Sequence, residues 1–109
     1  MPLTREFKET VKARVEADAE FRAALLSEAV EALLEGDVDT GKVVLRDYIN
    51  ATVGFEGLAE DIGKQPKSLM RMLSEAGNPS ATNLFAMISQ LQKATGIQLH
   101  VQAGSATTA

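Results

Sequence analysis

Cysteine is absent from the chain, and His100 is its only histidine. The first absence excludes a disulfide framework, a thiol nucleophile and a cysteine zinc site. The second excludes paired-histidine metal motifs and, with His100 as the one available base, argues strongly against a Ser-His-Asp site. Aromatic residues are scarce: four phenylalanines and Tyr48, not interleaved with basic residues, so stacking platforms for single-stranded nucleic acid are not expected. No apolar run approaches the roughly 18 residues that a membrane helix needs. The opening Met1-Pro2-Leu3-Thr4-Arg5-Glu6 is charged with no apolar stretch behind it, unlike a signal peptide. The expectation is a cytoplasmic protein that is not an enzyme, with no metal, no cofactor and no membrane partner.

What is present fits one folded domain. The 109 residues allow a single unit, and 45% apolar with 24% charged residues belongs to a globular chain able to bury a core without staples. Net charge is −4, unevenly spread. Residues 1–53 hold seven basic and eleven acidic side chains, whereas residues 54–109 hold four of each. Lys64, Lys67 and Arg71 cluster ahead of Glu75. An acidic total argues against tight non-specific binding to nucleic acid but leaves room for a compact basic reading head.

Apolar spacing predicts helices throughout the first half. Leu3, Phe7, Val11 and Val15 repeat every four residues on a first helix, with Thr4 as its cap. Asp18 reads as the N-cap of a second helix, with Phe21, Leu25, Leu26, Ala29, Val30, Leu33 and Leu34 as a wide apolar face and Gly36 as its left-handed stop. Asp37-Val38-Asp39-Thr40 reads as a short connector carrying another cap. Val43, Val44, Leu45, Tyr48 and Ile49 mark a third helix that ends near Gly54. The second half is broken by glycine and proline into pieces at Phe55–Ile62 and Pro66–Ser74. Asn78-Pro79 then supplies a cap and a first-turn proline for a last helix with Leu84, Met87, Ile88 and Leu91 inward and Gly96 as its stop. Ile97-Gln98-Leu99-His100-Val101 alternates as a half-buried strand does, with His100 outward. A lone strand has no partner in its own fold, so Ile97, Leu99 and Val101 are expected to pair with a second subunit. The domain is expected to span residues 1–101, with 102–109 as a flexible tail.

The most informative stretch runs from Leu58 to Met72. Ala59 is small enough for two crossing helices to approach, and Gly63, four residues on, can take the positive φ that a sharp reversal after Ile62 requires. Gln65 precedes a proline and is pushed to an extended conformation, and Pro66 opens the next helix. At 100° per residue Leu69, Met72 and Leu73 share one side of that helix, while Lys67, Arg71 and Ser74 share the other, flanked by Ser68, Met70 and Glu75. These are the requirements of a helix-turn-helix at about residues 55–74, buried behind and polar in front. Leu58, Ala59, Ile62, Gly63, Leu69 and Met72 would be its core. Gln65, Lys67, Ser68, Met70, Arg71 and Ser74 would face DNA, with Gln suited to adenine and Arg or Lys to guanine. Lys64, Asn78 and Ser80 lie where loops and helix starts could hold phosphate.

From Asp18-Ala19-Glu20-Phe21 to Val101, about three quarters of the chain resembles the addiction-module antidote family. These are helix-turn-helix regulators of the Cro/C1-like phage-repressor superfamily, similar to HigA antitoxins. The landmarks are Asp-x-Glu-Phe at the start, Leu-Ala-Glu-x-Ile-Gly at Leu58–Gly63, Lys67-Ser68-Leu69, Glu75-Ala76-Gly77-Asn78-Pro79, and Gly-Ile-x-Leu at Gly96–Leu99. The chain departs from the family pattern in the recognition helix, where an aromatic residue is usual and this chain has Met70 or a near neighbour, and at Ala19, where proline is frequent. The resemblance implies an all-α, lambda-repressor-like fold of five or six helices, homodimeric binding to a double-stranded DNA operator, and a neighbouring basic toxin as partner. A repressor of its own operon that also acts as an antitoxin is therefore the expected function. The other reading keeps the helix-turn-helix as scaffold only, in a protein-interaction module that binds a basic partner without DNA. Glu28, Glu31 and Glu35, followed by Asp37 and Asp39, would serve as its acidic docking face or be plain solvated surface.

Overall fold

The computed structural model describes residues 6, 9, 10, 13, 14 and 17 and the continuous stretch 18–105. The expected first-helix stripe Leu3, Phe7, Val11 and Val15, the Thr4 cap and the end of the tail at 106–109 lie outside the described residues. Within the continuous described stretch five helices follow in order: α1 (Ala19–Leu34), α2 (Val38–Ala51), α3 (Gly54–Ile62), α4 (Pro66–Met72) and α5 (Ala81–Thr95).

The helix ends explain why the sequence breaks where it does. Asp18 accepts hydrogen bonds from the Glu20 and Phe21 amides, as an N-cap carboxylate should. Gly36 closes α1 at φ 85°, with Asp37 N–H on Ala32 O and Gly36 N–H on Leu33 O, which returns two orphan carbonyls to the chain. The connector is shorter than the sequence suggested. Asp37 caps α2 by accepting from the Thr40 amide, so Val38, Asp39 and Thr40 already form the first helical turn. The last helix corrects the sequence reading too. Its cap is Ser80, whose Oγ accepts from the Asn83 amide, while Asn78 and Pro79 remain in the loop before it.

The core joins all five helices. Leu26 and Ala29 of α1 meet Leu45, Tyr48 and Ile49 of α2, Phe55, Leu58 and Ala59 of α3, Leu69 of α4, Leu73 just beyond it, and Met87, Ile88 and Leu91 of α5. α1 and α2 form the most extensive helix pair. Gly41 allows their approach, because a Cβ there would meet the Leu33 side chain at 2.5 Å and the Ala29 carbonyl at 3.3 Å. α3 is the hub, packing on α2, α4 and α5, whereas α4 packs chiefly on α3. The Tyr48 hydroxyl lies 2.7 Å from Thr95 Oγ1, and Thr95 gives its own proton to Leu91 O, so Tyr48 donates and pins the end of α5 to α2. The Cα radius of gyration of 14.0 Å is near the roughly 13 Å of a well-packed chain this long.

Among the described residues there is no strand. Ile97–Val101 is irregular chain, because one strand alone has no ladder to join. Its burial still alternates as the sequence suggested: Ile97 and Leu99 pack against the core, while Gln98 and His100 are exposed. The Leu99 amide donates to Gln92 Oε1 at 2.8 Å, which fastens the segment to α5. Val101, expected with the inward pair, is instead exposed at 92%. No described helix is long and apolar enough to cross a membrane.

Candidate nucleic-acid interface

The α3–turn–α4 unit is built as its sequence requires. Gly63 sits at φ 68°, ψ 37°, and the Lys64 amide reaches back to Ala59 O at 2.9 Å, closing α3. Gln65 is extended at φ −88°, ψ 137°, and Pro66 begins α4. Leu58, Ala59 and Leu69 are fully buried, while Ile62 and Met72 are partly covered.

The opposite side of α4 is open. Lys64, Gln65, Lys67, Met70 and Arg71 are exposed, with Ser68 and Ser74 half-buried beside them. Met70 is 46% exposed, large for an apolar side chain on a folded surface. One turn of helix thus carries two cations and a thioether outward over a buried leucine. Ser74 leans back on its own helix, Oγ donating to Arg71 O at 2.7 Å, so it is less available to an outside partner than the sequence suggested. Ser80 is likewise engaged as the α5 cap, while Asn78 is exposed in the preceding loop. The exposed charges of the neighbouring helix are of the other sign: Glu56, Glu60 and Asp61 on α3, with Asp61 accepting from Gln90 Nε2. Within the α3–turn–α4 unit the exposed basic side chains therefore belong to the turn and α4. Among the described residues, no cluster of His, Cys, Asp or Glu could hold a metal ion.

No family model, curated protein or solved structure matches the chain.

Two residues that entered the sequence analysis only in the count of basic side chains, Lys42 and Arg46, border this site. Lys42 of α2 is only 4% exposed, and its ammonium donates to three carbonyls after α4: Ser74 at 3.0 Å, Glu75 at 3.2 Å and Gly77 at 2.7 Å. Asp39, one turn earlier, lies 3.7 Å from it. Arg46 Nη1 donates to Leu73 O at 3.1 Å. A clue was present, since Lys42 falls on the stripe of Leu45 and Ile49, where a charge needs a buried partner. Its partners, however, are backbone carbonyls more than thirty residues away, which no spacing pattern reveals. The same contact region explains Glu75-Ala76-Gly77. A Cβ at Gly77 would run into the carbonyls of Arg71 and Met72, so the chain folds back on the end of α4 too tightly for a side chain.

Among the described residues, two titrating groups are displaced from their ordinary values. Hydrogen bonds from Thr40 hold the Asp37 carboxyl below 3.8. Burial raises the Tyr48 phenol above 10.0, against the smaller opposing pull of the Arg22 charge. Asp37 caps α2 and Tyr48 is buried against Thr95, so both serve the scaffold.

Proposed function

We propose that the chain is a sequence-specific DNA-binding regulator, a Cro/C1-like repressor of its own operon and the antitoxin of a toxin–antitoxin pair. The observation that carries the reading is the outward face of α4. Lys67 and Arg71 stand exposed over the buried Leu69, on a helix entered through a left-handed glycine turn. Such a helix can enter a major groove with its polar side chains at base edges. Lys67 and Arg71 dominate this reading, with Gln65, Ser68 and Met70 beside them and Lys64 and Asn78 toward phosphate. The protein would bind a palindromic operator as a homodimer. Its subunits would pair through residues 97–101, where Val101 is left uncovered.

Fluorescence anisotropy with duplex DNA from upstream of the chain's own gene, against a scrambled duplex at two salt concentrations, tests the reading. Selective binding that weakens steeply with salt is expected. Arg71→Ala should cost about 1–3 kcal/mol of operator affinity if Arg71 contacts a guanine. Equal affinity for both duplexes at low salt would end the repressor reading.

One observation favours the interaction-module alternative. On α1 and α2 the outward charges are acidic: Glu20, Glu28, Glu31, Glu35, Asp39 and Asp47 are exposed, whereas Lys42 is buried and Arg22 and Arg46 are half-buried. Leu34 stands among these acids at 72% exposure. A basic protein encoded by an adjacent gene would fit there. Co-elution with that protein, lost in a Glu31→Lys/Glu35→Lys variant while selective DNA binding is absent, would favour it.

A further inference from the structure

We infer that Lys42, assisted by Arg46, is a positioning residue for the α4 reading face, fixing the angle at which Lys67, Met70 and Arg71 are presented. The inference rests on the DNA-binding reading and extends it to residues outside the surface that would touch DNA.

α4 needs such a device. It has seven residues, fewer than two turns, too short to hold its own geometry in water. Its packing is chiefly on α3. Its N-terminal end is fixed by the Gly63 turn, but its C-terminal end has no left-handed glycine: Leu73 sits at φ −96°, ψ 6°. The carbonyls that follow are gathered from outside. Lys42 takes those of Ser74, Glu75 and Gly77, and Arg46 takes that of Leu73. Four consecutive-region carbonyls thus converge on two cations of α2, and positive charge at a helix C-terminus also complements its dipole. A lysine ammonium suits the task because it is a compact charge with three donors, and here each carbonyl has one of them within reach.

The geometry ties the reading helix to α2 independently of α3. Without Lys42, the turn at 74–77 loses its three bonds to α2 and only Arg46 still holds the Leu73 carbonyl, so α4 can tilt about its Gly63 end on the seat of Leu69 and Leu73. Lys64, Lys67 and Arg71 keep their charge in that case. Non-specific, phosphate-driven binding should therefore survive, while the alignment of side chains with base edges is lost.

The test compares wild type with Lys42→Met, which keeps the apolar stem and removes the ammonium. Anisotropy is read with the upstream duplex and the scrambled duplex, and hydrogen exchange at Leu69 and Leu73 is read against Leu26 in α1. The expected result is at least a tenfold fall in the upstream-to-scrambled affinity ratio, with scrambled-duplex affinity within twofold of wild type. Exchange at Leu69 and Leu73 should speed at least tenfold more than at Leu26. An unchanged affinity ratio in a folded Lys42→Met protein overturns the inference. Should that variant fail to fold, Arg46→Met carries the test: a ratio reduced threefold or more supports the positioning role, and an unchanged ratio overturns it. Failure of the wild type itself to select the upstream duplex would instead overturn the DNA-binding reading. The exchange measurement alone then decides whether the tie restrains α4, and equal speeding at Leu26 and Leu69 would dismiss it.

Discussion

At the residue scale, two glycines near α4 matter for different reasons. Gly63 holds a positive φ with open space around it, so Gly63→Ala is strained only by its backbone and should cost about 1–2 kcal/mol. Gly77 has no positive φ, but a Cβ would strike the carbonyls of Arg71 and Met72. Gly77→Ala should therefore displace the turn itself and cost about 1–3 kcal/mol. Urea denaturation of both variants checks the magnitudes, and amide shifts at 71–77 should move further for Gly77→Ala. The first glycine was legible in the sequence because a turn demands one residue able to reverse the chain. The steric role of the second was not, since it depends on where the chain returns in space. Asp37 adds a pH signature. Its carboxyl is held below 3.8 in the folded state by Thr40, so its stabilising effect is complete above the unfolded value and is lost as pH falls through the lower, folded one. Asp37→Asn, which can still cap α2, should flatten the acid limb of a stability–pH curve below about pH 4. Tyr48 acts at the other extreme. With its folded value raised, stability is complete below pH 10.0 and declines as pH rises beyond it, and Tyr48→Phe should remove that decline.

At the element scale, α4 exists because of what it buries. Seven residues beginning with proline have little helical tendency in isolation, and Leu69 and Leu73, both fully buried, anchor the segment. Leu69→Ala should destabilise the protein by about 2–5 kcal/mol, measured by thermal or urea unfolding. The helix boundaries were legible wherever a capping side chain and a glycine stood at the right spacing, as at Asp18 and Gly36. They were misjudged by two or three residues where two capping residues competed. Asn78 and Ser80 both qualify by type, and Ser80 wins because its hydroxyl reaches the Asn83 amide. The strand-like pattern at 97–101 illustrates a different limit. Alternation reports which side chains face the core, and Ile97 and Leu99 do so, but a ladder requires a second backbone that one chain does not supply.

At the scale of the whole molecule, the bare side chain of Val101 makes the oligomeric prediction specific. Deleting residues 97–109 would also strip Ile97 and Leu99 from the core, so Val101→Glu is the cleaner change. If these segments pair subunits, sedimentation should show the dimer weakened at least tenfold with the melting temperature of the monomer unaltered. An unchanged dimer would place the interface elsewhere. The enclosure of Lys42 has a chemical consequence as well. An acylating reagent must reach the amine it modifies, and Lys42 is 4% exposed with its N–H groups taken up by three carbonyls. Lys64, Lys67 and Lys93 are open to water. Brief treatment of the native protein with an acetylating reagent should mark those three and spare Lys42, so that the order of labelling along the chain records which lysine belongs to the framework and which face outward.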